Sequence, residues 1–359
     1  MSAVRNIEAV PGRKQVRLGR LAWSLRPRSA LVPAVCLVLL VLVAALNIGR
    51  GSSDIAVLDV LRTLAGGGDH AETGIIFDLR LPRTLAGVLV GAAFGLAGAL
   101  FQTVARNPLA SPDILGITWG AGVGAVSVIV LGGSAGQVSG AVAELGVPLA
   151  GLAGGLVAGL LLYVLAWRRG LDSYRMVLVG IGLAAIGHNV VYWLLTVGDV
   201  DDATRATTWI VGNLAGVGWE AIGPLALALA LLVPVTAASV HTLGGLQFGD
   251  DTARGLGIRV DRARAVVLLL AAALAAVATA VAGPITFVAL ATPQIALRLV
   301  RSPQPPIVGS MILGALLTVG ADLAVRTVAP GLPVGVLTAI LGAPYLIFLF
   351  LRTRKEARA

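Results

Sequence analysis

Ten apolar runs occupy most of this chain, at about 31–48, 82–105, 114–132, 144–166, 176–197, 218–240, 265–283, 286–300, 307–327 and 334–351. About 20 consecutive apolar residues carry a helix across the hydrocarbon core of a bilayer. The runs therefore predict an all-α, polytopic membrane protein with about ten transmembrane helices and no room for a separate soluble domain. Composition agrees, since 13% of the 359 residues are charged against about 25% in soluble domains. The chain divides into a basic arm (1–30), a transmembrane domain (31–351) and a basic tail (352–359).

An even number of crossings puts both termini on one side, and cytoplasmic loops carry an excess of Lys and Arg. With the termini inside, 21 of the 27 basic residues fall there. They are Arg5, Arg13, Lys14, Arg17, Arg20, Arg26 and Arg28 of the arm, then Arg106, Arg168, Arg169, Arg175, Arg254, Arg259, Arg262, Arg264, Arg298 and Arg301, and the tail residues Arg352, Arg354, Lys355 and Arg358. Arg50, Arg62, Arg80, Arg83, Arg205 and Arg326 stay outside, with most of the acids. The net charge of +9 thus reports topology and not nucleic-acid binding. The arm and the run at 31–48 resemble a signal peptide, but the run is long and no A-x-A-like site closes it. It is read as a retained first span. The lone Cys36 excludes a disulfide framework.

Three places interrupt the pattern. The stretch 265–300 is read as two crossings broken at Gly283-Pro284, because one long helix would put Arg264 and Arg298 on opposite sides. The second of them is short and carries Pro293. Irregular backbone at such depth is tolerated only where protein or a water-filled cavity surrounds it. "DIAVLDVLRTLAG" (54–66) reads as a short amphipathic helix on the outer face, capped by Asp54, with Leu58, Leu61 and Leu64 as its apolar side and Gly66 as its stop. The long inner loop 241–265 predicts another short helix. Asp250 and Asp251 suit its N-terminus, Ala253 and Leu256 are placed on one face, and Gly257 closes it in the left-handed conformation. The loop carries four arginines, Arg254, Arg259, Arg262 and Arg264. The residues alone fit a docking platform and a solvated, membrane-anchoring connector equally well.

Several chemistries are absent. No G-x-x-x-x-G-K-[ST] occurs, and the only lysines are Lys14 and Lys355 in the terminal arms, so no P-loop binds ATP. His70, His188 and His241 form no metal-ligand motif, and no metal or cofactor is expected. A proton-coupled transporter usually keeps carboxylates deep in its bundle. Here the deepest acid is Asp322, with Arg326 following at i+4 as a partner. Gly- and Ala-rich spans such as "GVLVGAAFGLAGAL" allow close helix packing. A polytopic bundle with an inner loop and no energy source of its own is left.

Four stretches carry a resemblance: "RLPRTLAGVLVGAAFGLAGALFQTVARNPLASPDILGITWGAG" (80–122), "FGDDTARGLGI" (248–258), "GPITFVALATPQIALRL" (283–299) and "LPVGVLTAILGAPYLIFLF" (332–350). In this order they resemble permease subunits of ABC importers for iron–siderophores, haem and cobalamin. The resemblance implies a type II importer permease, which dimerises around a central path and works with two cytoplasmic ATPases and an extracytoplasmic binding protein in a bacterial cytoplasmic membrane. It implies that the inner-loop helix rests in a groove of the ATPase, and so assigns ATPase coupling to Gly249, Asp250, Asp251, Ala253, Arg254, Leu256 and Gly257. Gly244 departs from the Asn common at that position. The resemblance also implies that Arg80, Arg83 and Arg326 meet acidic residues of the binding protein; membrane anchoring by snorkelling is the alternative. Gln294 stands where many members carry His, and "PQIALRL" is similar to the second permease of ferric-enterobactin-type importers. That similarity implies a catechol-type ferric siderophore and a heterodimer with a different permease. Polar residues inside spans, Gln102, His188, Asn189 and Trp193, are candidates to line the path or to make packing hydrogen bonds. A proton-coupled transporter, or a haem or cobalamin importer, is the alternative function.

Overall fold

The computed structural model describes residues 14–18, 21–25, 27–51, 54–133, 141–168, 170–246 and 249–356. Arg5, Arg13, Arg20, Arg26, Arg169 and Arg358 lie outside the described residues, as do Gln247 and Phe248. A short antiparallel hairpin, β1 (Lys14–Leu18) and β2 (Leu21–Leu25), precedes the first helix. The helices are α1 (Pro27–Gly49), α2 (Val57–Leu64), α3 (His70–Gly74), α4 (Leu81–Ala105), α5 (Ile117–Gly133), α6 (Ala141–Ala166), α7 (Ser173–Val197), α8 (Val200–Ile210), α9 (Trp219–Ala238), α10 (Val240–Leu246), α11 (Asp250–Gly255), α12 (Val260–Ala282), α13 (Val288–Val300), α14 (Ile307–Thr327) and α15 (Val334–Glu356). A π-helical turn, Ile75–Arg80, joins α3 to α4. Among the described residues seven helices are long and apolar enough to cross a membrane, and three shorter apolar ones lie in α5, α13 and α15. Each of the ten apolar runs read from the sequence forms an apolar helix.

The spans pack through small residues. Helix α4 lies at the centre, against α12, α13 and α14, and between Ala93 and Ala105 only Thr103 escapes full burial. A Cβ added at Gly95 would fall on the carbonyl of Ser310, and one at Gly98 on the carbonyl of Ala289. Gly120 and Gly124 of α5 meet Gly154 and Ala150 of α6 in the same way, and Gly155 and Gly159 of α6 meet Ala276 and Ala272 of α12. In lipid there is no hydrophobic drive between helices, so such close backbone approach supplies the packing energy. Gly95→Val should force α4 and α14 apart. Overpacking of this kind costs about 1–3 kcal/mol or more, because backbone and not a flexible side chain stands in the way. Thermal inactivation in detergent reads the effect. Gly223→Ala is the control, since a Cβ at Gly223 meets nothing.

The break at Gly283-Pro284 is where the sequence places it. Helix α12 ends at Ala282, Gly283 turns with φ 67°, and Phe287 adopts a left-handed φ of 66° before α13 begins. At 1.5 Å per residue the 13 residues of α13 rise about 20 Å, short of the ~30 Å core. The linking backbone is therefore at membrane depth, and protein encloses it. Gly283 lies against Trp209 and Gly212, and the Phe287 ring against Gly342. Asp113, in the irregular connection between α4 and α5, bridges the first turn of α5 and the turn that precedes α13. It accepts from Thr118 Oγ1 at 3.1 Å and from the backbone N–H of Phe287.

Two expectations about the connections change. Helix α2 forms and Gly66 (φ 89°) stops it, but Ala56 is its N-cap, while Asp54 pairs with Arg50 at 2.7 Å. Its buried side is Val60 and Thr63, and Leu58, Leu61 and Leu64 point outward. The leucines recur at i, i+3 and i+6, but Val60 has the neighbours, packing with Ile48 and Ile76. Helix α8 forms between the apolar runs 176–197 and 218–240, where no element was expected; Asp201 and Asp202 stand in its first turn, where acids are favoured by the helix dipole.

Candidate functional sites at the two faces of the bundle

On the face that carries α10, α11 and the clustered arginines, a single carboxylate gathers four segments. Gly249 enters α11 with φ 94°, a conformation open to glycine. Gly257 (φ 80°) closes the helix, donating to Arg254 O at 2.9 Å, while Ile258 N–H reaches Ala253 O at 3.0 Å. Asp250 Oδ1 accepts from Arg106 Nη2 at 2.6 Å and from Arg264 Nη2 at 2.9 Å. Arg106 is the left-handed C-cap of α4 and also donates to Leu246 O at 2.7 Å. Arg264, on α12 and buried, donates to Leu171 O at 2.6 Å. Helix α11 is thus tied to α4, α10, α12 and the turn before α7.

The expectation that Ala253 and Leu256 share a face does not hold. Ala253 is 0% exposed, packed with Leu246 and Val260, whereas Leu256 is 64% exposed. Leu256 is the C-cap, past the last helical turn, and the reversal at Gly257 leaves it outside. Asp251 and Arg254 are exposed and face each other at 3.4 Å. This face therefore presents Asp251, Arg254 and Leu256 outward and uses Asp250 and Ala253 to hold the helix down. Gly244, the departure in α10, faces open space.

On the opposite face, Arg80, Arg83 and Arg326 line one cavity of about 600 Å³, with Gly51 and Asn213 among its other walls. None of the three is an idle surface side chain. Arg80 is buried and donates to Ile48 O at 2.9 Å and Gly49 O at 3.0 Å. Arg83 gives Nε and Nη2 to Asp322 Oδ1, at 3.0 and 2.5 Å. Arg326 Nε donates to Asp322 Oδ2 at 3.1 Å, as the i+4 spacing anticipates. Asn47 Nδ2 also donates to Asp322 Oδ2, at 3.1 Å. Sequence reasoning missed Asn47 and missed that Arg83 joins this group. Arg326 Nη2 is buried with no partner among the described residues. Two guanidiniums, Arg83 and Arg326, share the Asp322 carboxylate, and Arg80, held by backbone carbonyls and near Asp54, lines the same cavity.

The path candidates separate. Gln102 is not exposed to any path: it is 4% exposed and donates to Leu290 O at 3.0 Å. Its Oε1 accepts from Gln294 Nε2 at 2.7 Å. Buried amides need such partners, so this pair joins α4 to α13. His188, Asn189 and Trp193 lie together on the exposed side of α7. The His188 ring stands between Trp119 (4.6 Å) and Tyr192 (4.5 Å). Polar groups on a lipid-facing stripe are costly, so this side of α7 fits a protein interface or a water-filled path.

A family model described as the FecCD transport family matches residues 37–352. Among curated relatives, a ferric enterobactin transport system permease protein, FepG, of Escherichia coli (strain K12) is 37% identical over 92% of this chain and 98% of its own length. An iron(3+)-hydroxamate import system permease protein, FhuG, of Bacillus subtilis (strain 168) is 36% identical over 90% and 97%. Among solved structures, a metal-chelate type ABC transporter in an inward-facing conformation superposes with a TM-score of 0.79 at 25% identity, over 89% of this chain and 99% of that one. The match begins within α1 and ends within α15, and every span between them is present: this chain belongs to the FecCD transport family and is a multi-pass permease subunit of an ABC importer.

Proposed function

We propose that this chain forms half of the translocation path of an ATP-driven importer of ferric siderophores, catechol-type compounds first among them. It does no covalent chemistry. One of two cytoplasmic ATPases docks on the α11 face, an extracytoplasmic binding protein docks on the arginine-lined cavity, and a second, different permease covers the exposed side of α7. Both termini are then cytoplasmic, in agreement with the charge distribution. The names of the relatives, an enterobactin and a hydroxamate system, support the cargo class, and Gln294 supports the heterodimer.

The observation that carries the reading is α11 itself. It is pinned to the bundle through Asp250 and Ala253 and shows Asp251, Arg254 and Leu256 outward. A short helix fixed on its inner side and apolar at its outer end can accept a push and deliver it to the spans. Leu256→Asp should abolish co-purification of the ATPase with little loss of permease thermal stability, because Leu256 is largely exposed. Ala253→Asp should lower both, since a buried, unpaired charge is strongly destabilising. Unchanged ATPase recovery with Leu256→Asp would remove α11 as the docking element.

A further inference from the structure

We infer that Asp322 is a positioning residue for docking on the opposite face. It holds the guanidiniums of Arg83 and Arg326 in fixed orientation toward the cavity, and the binding protein meets arginines already set. The inference rests on the proposal that these arginines receive acidic side chains of the binding protein.

Three spans converge on this carboxylate. Asn47 comes from α1, Arg83 from α4, and Asp322 itself lies with Arg326 on α14. Asp322 is 1% exposed, and each of its oxygens accepts two hydrogen bonds. Arg83 is held by two of its nitrogens on one oxygen. The Arg326 side chain is 9% exposed; its Nη1 leans on the carbonyls of Asn47 and Arg50 at 3.3 and 3.4 Å, its Nη2 is buried with no partner among the described residues, and the residue lines the cavity. One carboxylate serving two guanidiniums leaves net positive charge around the cavity. Without it, three neighbouring cations would repel and the long arginine side chains would swing. Fixing such side chains before association lowers the entropic cost of binding, and the planar guanidinium fork gains most from it.

Fixing the forks and neutralising them act in opposite directions on kinetics. Asp322 lowers the positive field that draws an acidic partner in, yet it holds the groups that keep the partner bound. Asp322→Asn should therefore raise the association rate of the binding protein severalfold at low salt, by adding one net positive charge to the steering field. It should also speed dissociation about tenfold, through lost preorganisation. Asn47→Ala removes one support without changing charge. It should leave association unchanged and speed dissociation a few-fold, and it keeps the test available if Asp322→Asn folds poorly.

The measurement is surface-plasmon or bio-layer kinetics of the binding protein on the purified transporter complex in nanodiscs, across a salt series, beside Arg83→Gln. If Arg83→Gln leaves both rates at the wild-type values, the docking reading itself fails. If Arg83→Gln weakens binding while Asp322→Asn and Asn47→Ala leave dissociation unchanged, docking stands and the positioning role of Asp322 is overturned. Faster association together with faster dissociation in Asp322→Asn is the pattern that a merely structural role would not produce.

Discussion

Asp250→Ala should uncouple the transporter, cutting binding-protein-stimulated ATP hydrolysis and import together by about tenfold or more. Removing one partner of a partly buried ion pair costs on the order of 3 kcal/mol, and about 1.4 kcal/mol already corresponds to a factor of ten. Here one alanine strands two guanidiniums, Arg106 and the buried Arg264. Helix α11 then keeps its hydrophobic contact with Leu246 and Val260 through Ala253 but loses its ion pairs to Arg106 and Arg264. The signature differs from that of Leu256→Asp: with Asp250→Ala the ATPase still co-purifies, but its closure no longer moves the spans. Arg106→Asp combined with Asp250→Arg should restore part of the activity. Normal coupling in Asp250→Ala would show that force reaches the spans by another route.

Arg83→Glu should be the most damaging single change on the opposite face. It removes a docking cation and also sets a second carboxylate against Asp322, which is almost fully buried. The expected loss of stability is on the order of 3–5 kcal/mol, read as earlier thermal inactivation, together with loss of binding-protein affinity. Arg83→Lys keeps the charge without the fork, and its effect should be intermediate. Arg62→Glu, on the exposed side of α2, is the control and should change little. For variants that fold, the affinity deficit should be larger at low salt than at high salt, because screening removes the electrostatic contrast. Arg83→Glu with a wild-type affinity and salt slope would leave Arg83 only a structural partner of Asp322.

What could be read from the sequence followed the range of the interactions. Spans, the break at Gly283-Pro284 and the Asp322–Arg326 pair depend on hydrophobic runs, on backbone-breaking residues or on i,i+4 spacing, and all were legible. Asn47 and Arg83 reach Asp322 across 275 and 239 residues, and nothing local announces such contacts. The same limit left Gln102 open between a path residue and a packing hydrogen bond, since its partner Gln294 lies 192 residues away. Short elements misled for another reason. In α11 the spacing of Ala253 and Leu256 exists, but so short a helix cannot fix which side meets the bundle. Leu256 ended outward because the chain reversal at Gly257 decides its orientation, whereas in α2 the outward Leu58, Leu61 and Leu64 fit an outer-face helix and only the cap expected of Asp54 moved, to Ala56.

The direct test is import of a radiolabelled ferric catecholate into proteoliposomes that contain this chain, a second permease of the family and the ATPase. ATP would be supplied on the α11 side and the binding protein on the side of Arg80, Arg83 and Arg326. Uptake that requires both, and that stops when ATP is replaced by a non-hydrolysable analogue, is the expected result. Uptake driven by an imposed proton gradient, in vesicles that hold this chain but no ATPase, would contradict it.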